Sequence, residues 1–324
     1  LVAFSAVVGA IALSPSAVAA TPIQYVLPAN DAATISVLAT SGDIIGGKIL
    51  RGTPDGMGVI KNSDGTLTIL SNHEMSLSDK TVQLSKSATG TWGSSVSKLT
   101  YDPATGLVTS VSDFIKSIQY FDYTNNAWTT DYTKTLPAGF AAVDSYGGDT
   151  FSNGLNRFCS SNLVQAGALS FKEGKKTYGY TGAAYFVAEE GGDTSRAFAF
   201  DMNGNGIQLP KFGLVQYENF LVAPATGKNT VVLMNEDNGA TTSQGYLYAG
   251  TKTSKGTFAD KAGFTNGSLY TFQVEGVNSD NEFRAAYGKN KKVNVSFPQS
   301  QVPYMPFYLF RFCLFDNITS GKSV

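Results

Sequence analysis

The chain is poor in the residues on which most hydrolytic and metal chemistry depends. It has a single histidine, His73, in 324 residues. One imidazole cannot build a multi-histidine metal site, nor supply separate acid and base groups. Any hydrolytic chemistry must therefore lean on carboxylates. Cysteine is almost as scarce. Cys159 and Cys313 permit at most one bridge, so a disulfide-stapled scaffold is excluded. Charged residues make up 15% of the chain, against roughly 25% in an average globular domain. There are no basic runs and the formal net charge is −1. Both argue against a nucleic-acid partner, whose binding relies on Lys and Arg neutralising phosphates. No serine elbow, Walker loop or paired Cys-x-x-Cys is present. No apolar run reaches the roughly 20 residues of a membrane span.

Glycine, Thr, Ser, Asn and aromatics are plentiful instead, the composition of many short strands joined by tight turns. Met57–Ile60 and Leu67–Leu70 flank Asn62-Ser63-Asp64-Gly65, whose Asp-Gly marks a hairpin. Val96–Tyr101 and Leu107–Val111 flank a second turn with Pro103 and Gly106. Ala183–Ala188 with Ala197–Asp201, and Thr230–Met234 with Tyr246–Ala249, make two further pairs, and Ser268–Val274 adds a strand. Short helices are expected only around Leu77–Leu84 and Asp113–Tyr120. The fold class is therefore all-β: a sandwich, a barrel or a propeller. No strict sequence repeat selects the propeller.

The ends read differently. Leu1–Leu13 is uncharged and almost wholly apolar, Ser14-Pro15-Ser16 breaks it, and Ala17-Val18-Ala19 fits a small-x-small cleavage site. Residues 1–19 are accordingly predicted to be part of a signal peptide, with a secreted or periplasmic mature chain. Residues 20–295 hold the β domain. Residues 296–324 are aromatic-dense, without alternation or turn punctuation. They read as a buried strand or, in the preferred reading, as a non-native tail from a frame slip or gene-fragment end. The tail reading argues against a Cys159–Cys313 bridge.

Carboxylates gather at strand ends and turns: Asp55 before Gly56, Glu74 after His73, Glu189-Glu190 before Gly191-Gly192, Glu218 beside Asn219, and Glu236-Asp237 before Asn238. Hard cations take six to eight oxygens from such mixtures of carboxylates, amides and carbonyls. Oxygen-rich, histidine-poor clusters suit Ca, Mg or Mn rather than Zn. Glu189 and Glu190 point to opposite faces of a strand, so only one can enter a shared site, and Glu190 is favoured. Asp201-Met202-Asn203-Gly204-Asn205-Gly206 mimics half an EF-hand loop, but Phe212 stands where its bidentate Glu is needed. A polar hairpin turn is the better reading. His73 is expected to be structural, with Glu74 as the residue of interest.

In order along the chain, Pro54-Asp55-Gly56-Met57-Gly58, Asn72-His73-Glu74, Phe158-Cys159-Ser160-Ser161, Tyr185-Phe186-Val187-Ala188-Glu189-Glu190, Phe212 to Asn219, and Val231 to Asp237 resemble blocks of PhoX-type alkaline phosphatases and their secreted relatives. Gly245 to Lys252 and Gly267-Ser268-Leu269-Tyr270 continue the series, and the resemblance spans roughly residues 45–290. It implies a β-propeller whose calcium- and iron-containing site hydrolyses phosphate esters. Glu74, Glu190, Glu218 and Asp237 fall on acidic positions of those blocks, as does Asp55, and Cys159 falls where the family has a cysteine. These six are the implied ligands for Ca²⁺ and Fe³⁺. Two positions depart from the pattern: Ala188 replaces a cysteine and Tyr217 a histidine. The family's later Arg-Pro-Glu block is missing after residue 290, so the propeller is expected to lack its C-terminal blades. The rival function is a non-enzymatic, calcium-binding propeller used for adhesion. A carbohydrate-binding β-domain is a third.

Overall fold

The computed structural model describes residues 26–76, 93–134, 154–192, 194–237, 243–277, 279–288, 293 and 296–297. The predicted signal segment, the expected helix at Leu77–Leu84, Cys313 and nearly all of 296–324 lie outside them. The chain up to Thr40 forms one compact unit and the chain from Ser41 onward another. In the first, residues 26–40 carry no strand or helix. They hold one Asx-type turn, in which Ala32 N–H donates to Asn30 Oδ1 at 3.0 Å.

The second unit is all-β, as the turn punctuation requires. A small ribbon, β1 (Ile44–Ile45) with β2 (Lys48–Ile49), precedes a four-stranded antiparallel meander. That sheet runs β3 (Pro54–Lys61), β4 (Leu67–His73), β5 (Ser95–Asp102) and β6 (Leu107–Asp113) in spatial as in chain order. The Asp-Gly turn closes its first hairpin. Gly65 adopts φ 88°, and Asp64 Oδ1 accepts from Thr66 N–H at 3.0 Å.

A six-stranded middle sheet follows. Its strands are β7 (Ser117–Asp122), β8 (Ala127–Thr129), β9 (Phe158–Val164), β12 (Ala184–Glu189), β13 (Ala197–Asp201) and β14 (Asn205–Gln208), in the order β8-β7-β14-β13-β12-β9, so that β8 and β9 are its edges. A ribbon of β10 (Ser170–Glu173) and β11 (Lys176–Gly179) connects β9 to β12. The third sheet is another four-stranded meander: β15 (Tyr217–Val222), β16 (Asn229–Glu236), β17 (Gly245–Thr251) and β18 (Ser268–Thr271). Such four-stranded meanders are the blade unit of a propeller.

Alternation along the middle sheet explains the packing. Ala184, Phe186, Ala188, Ala197 and Ala199 join one apolar core with Phe212, Phe220, Met234 and Tyr248 of the third-sheet region. Tyr185, Val187, Phe198 and Phe200 join the other with Leu70 and Val96 of the first sheet. Buried on both faces, β12 and β13 read as continuous apolar runs rather than as alternating ones. The Asp201 segment is the polar hairpin expected: Asp201 Oδ1 accepts from Asn203 N–H at 2.9 Å and Asn205 N–H at 3.0 Å.

The helix expectation fails at Asp113–Tyr120. Residues 117–122 form β7, where Ser117 and Gln119 are exposed while Ile118 and Tyr120 are buried, a period of two. Parallel pairing of β7 with β14 stabilises the strand. The described helices lie elsewhere: α1 (Phe258–Ala262), opened by a Thr257/Asp260 capping box, and α2 (Asp280–Tyr287), capped by Ser279. Ser296, where the atypical segment was expected to begin, pairs with Gln273 just beyond β18: its N–H donates to Gln273 O at 2.8 Å.

Candidate metal centre

The three sheets place one edge strand each side by side, with β9 beside both β3 and β15. Gly56 and Gly58 permit the close approach. A Cβ at Gly56 would stand 2.5 Å from Ser161 N, and one at Gly58 2.5 Å from Leu163 Cβ.

Each of these edge strands carries an irregularity at its second residue. On β3 the register jumps from Pro54↔His73 to Met57↔Ser71, leaving Asp55 and Gly56 against Asn72. On β9 it jumps from Phe158↔Glu189 to Ser161↔Val187, leaving Cys159 and Ser160 against Ala188. On β15 it jumps from Tyr217↔Glu236 to Asn219↔Asn235, leaving Glu218 unpaired. Bulges of this kind re-aim side chains, and they gather next to active sites. The strand paired with each edge strand then ends one residue before a carboxylate: Glu74 after β4, Glu190 after β12, Asp237 after β16. The same backbone bond fixes each of these acids. Glu74 N–H donates to Thr53 O (3.0 Å), Glu190 N–H to Arg157 O (3.0 Å) and Asp237 N–H to Gln216 O (3.1 Å). One two-ligand clamp is thus repeated three times: Asp55/Glu74, Cys159/Glu190 and Glu218/Asp237. Sequence comparison within the chain does not show this repeat, because it lies in register rather than in residue identity.

The clamps converge. Cys159 Sγ and one carboxylate oxygen each of Glu190 and Glu218 lie within 4.8 Å of one another, and the thiol is 3.9 Å from Glu218 Oε2. Asp55, Glu190 and Glu218 are all held above the ordinary carboxylate range. Burial is the first cause, and neighbouring negative charge adds to it: Glu74 on Asp55, Glu218 and Glu74 on Glu190, and Asp237, Asp55 and Glu74 on Glu218. Burial, then Glu218, Asp55 and Glu190, likewise push the Cys159 thiol up. The group is therefore one in which negative charges oppose one another unless a cation intervenes.

Among the described residues, Arg157 is the cation that pairs with these acids. Arg157 Nε donates to Glu74 Oε1 at 2.9 Å, its Nη2 reaches the same oxygen, and Nη2 lies 3.2 Å from Glu190 Oε2. Its backbone sits at φ 46°, a left-handed conformation that costs a non-glycine residue about 1–3 kcal/mol. Arg157 is the residue that sequence reasoning missed. The only signal was a lone cation two positions before Cys159 in a charge-poor chain.

Neighbouring residues are structural. Glu189 turns away from Glu190, as strand alternation requires. Its Oε2 accepts from Arg196 Nε at 2.8 Å and its Oε1 from Asn156 N–H at 2.9 Å. Asn72 is buried; its amide donates to the carbonyls of Cys159 (3.2 Å) and Ser160 (2.9 Å), and its Oδ1 accepts from Tyr185 OH at 2.9 Å. It thereby pins the β9 bulge. Tyr217 is buried and its hydroxyl donates to the Phe212 and Gly213 carbonyls, both at 2.9 Å. His73 lies between Gly52 O (Nδ1, 2.8 Å) and Ser97 Oγ (Nε2, 2.7 Å), and burial pushes its pKa down to about 4.

That depression makes a prediction about acid stability. Between the ordinary histidine value near 6.5 and about 4, the unfolded chain binds a proton that the folded chain refuses. His73 should contribute its full stability above pH 6.5 and lose it progressively as pH falls toward 4, by about 3 kcal/mol. Urea midpoints measured from pH 7 to 4.5 check this. His73→Gln should flatten the slope relative to wild type, and parallel slopes would refute the assignment.

No protein-family model matches the chain, and no curated protein matches it in sequence. Among solved structures it is similar to Pseudomonas fluorescens PhoX in complex with vanadate, a transition state analogue, at 12% sequence identity and a TM-score of 0.34. The match covers 70% of this chain and 46% of that one, so this chain spans under half the length of the PhoX chain. A likeness this loose establishes neither family nor activity.

Proposed function

We propose that this chain carries the metal-binding wall of a secreted, metal-dependent phosphoesterase. The observation that supports this best is the threefold clamp, in which Cys159, Glu190 and Glu218 come within 4.8 Å of one another and Asp55, Glu74 and Asp237 add neighbouring negative charge. The donor set fits a cation. Ligands about 2.3–2.6 Å from a calcium-sized ion can be no more than roughly 5 Å apart, and Cys159, Glu190 and Glu218 meet that limit at 4.8 Å. Oxygen donors suit Ca²⁺, and a thiolate among them suits a softer metal such as iron.

Asp55, Glu74, Glu190, Glu218 and Asp237 would hold the cations, with Cys159 as the soft ligand. Bound cations would neutralise phosphate oxygens and activate a water for attack. The protein's own contribution is positioning. Asn72 fixes the Cys159 backbone, the bulges aim Asp55 and Glu218, and Arg157 adds a guanidinium suited to paired phosphate oxygens. No imidazole base is needed, which agrees with a buried and hydrogen-bonded His73.

The test is hydrolysis of a simple aryl phosphate by the whole chain with Ca²⁺ and Fe³⁺ added, with metal content measured alongside. Turnover that EDTA abolishes is expected. Calcium binding without iron and without turnover would replace this reading with the non-enzymatic, calcium-binding one.

A further inference from the structure

We infer that Arg157 is a resident counter-cation, which occupies the acidic centre without metal and is displaced toward an anionic ligand when a divalent cation loads. The inference rests on the cation-site reading above. Its starting point is the repeat. Arg157, Thr53 and Gln216 occupy the same place in the three clamps: each is the residue just before that clamp's edge strand, and each carbonyl receives the N–H of that clamp's second acid. Only the middle sheet puts a charged side chain there.

That side chain does not stay within its own clamp. It holds Glu74 of the first sheet and Glu190 of the middle sheet at once. Both acids are proposed cation ligands, so a guanidinium on Glu74 Oε1 and Glu190 Oε2 competes with a cation for the same lone pairs. Arg157 is also able to leave. Its side chain is 41% exposed, whereas Arg196, paired with Glu189, is 0% exposed. Arg196 is locked by buried partners including Gly154 O at 2.6 Å. Arg157 faces water, and its charge would be freed beside the cation. A phosphate-type oxyanion is the ligand that both charges would then share. Cation and oxyanion binding should consequently reinforce each other through this residue.

Terbium and calcium titrations of the whole chain, with and without inorganic phosphate, test this. Arg157→Asn removes the charge and suits the left-handed backbone, and Arg157→Gln is the second variant. Folding is checked by circular dichroism. Without phosphate, both variants should bind the cation about tenfold more tightly than wild type, as loss of a competitor of about 1.4 kcal/mol requires. Phosphate should tighten cation binding in wild type and have little effect in the variants. Unchanged or weaker cation affinity in both variants would overturn the counter-cation role alone. If wild type and variants all fail to bind cations, the cation-site reading falls, and this inference with it.

Discussion

Glu189→Ala is expected to cost about 3–5 kcal/mol, the price of leaving a buried charge without its partner. Arg196 and Glu189 are 0% and 2% exposed in their side chains, and the pair is bidentate. Glu189 also accepts from the backbone N–H groups of Asn156 and Arg196. Truncation thus removes the charge partner of the Arg196 guanidinium, which keeps Gly154 O, and the acceptor of two backbone N–H groups at once. Domain stabilities typically lie near 5–15 kcal/mol, so the variant should lose a third or more of the total. Urea denaturation should show a large fall in midpoint with little change in slope. A matched replacement of both residues, Glu189→Gln with Arg196→Met, should recover much of the loss, because no charge is left buried. A small effect of Glu189→Ala alone would mean that water reaches the pair.

One residue along the chain, the sign reverses. Glu190→Gln combined with Glu218→Gln should stabilise the cation-free chain, by an amount on the order of 1 kcal/mol once solvent screening is allowed for. Burial and mutual repulsion hold both carboxylates above their ordinary range. Neutral amides escape that penalty. The same double variant should lose at least about a hundredfold in cation affinity, because two of the three converging ligands become weak neutral donors. Thermal melts with and without Ca²⁺ measure both effects. A variant less stable than wild type without the cation would show that these carboxylates are held by favourable contacts rather than crowded together.

Much of this molecule is readable from residues alone. The hairpins at Asp64-Gly65 and Pro103 to Gly106 follow from turn chemistry that few other conformations accept. Of the six candidate ligands, Cys159, Glu190 and Glu218 lie within 4.8 Å of one another, and Asp55, Glu74 and Asp237 act on them as neighbouring charges. Three features were hidden. The β7 strand is hidden because, besides its local partner β8, it depends on the distant β14. The helices α1 and α2 do announce themselves through Thr257-x-x-Asp260 and Ser279-x-x-Glu282, but their short apolar stripes are weak. Arg157 was hidden because its role depends on Glu74, which lies far away along the chain and meets it only across two sheets.

The threefold clamp has a consequence for how the chain folds. No sheet alone owns a complete ligand set, and Glu218 draws on Asp55 of β3 and Cys159 of β9, the nearer of which precedes it by 59 residues. The two four-stranded meanders can form locally and early, the middle sheet needs the distant β7–β14 pairing, and the centre comes into being only when all three sheets have docked. Chains dominated by such distant contacts fold slowly. A cation with no grip on an isolated meander would then act after the slow step, retarding unfolding while leaving the rate of folding almost untouched.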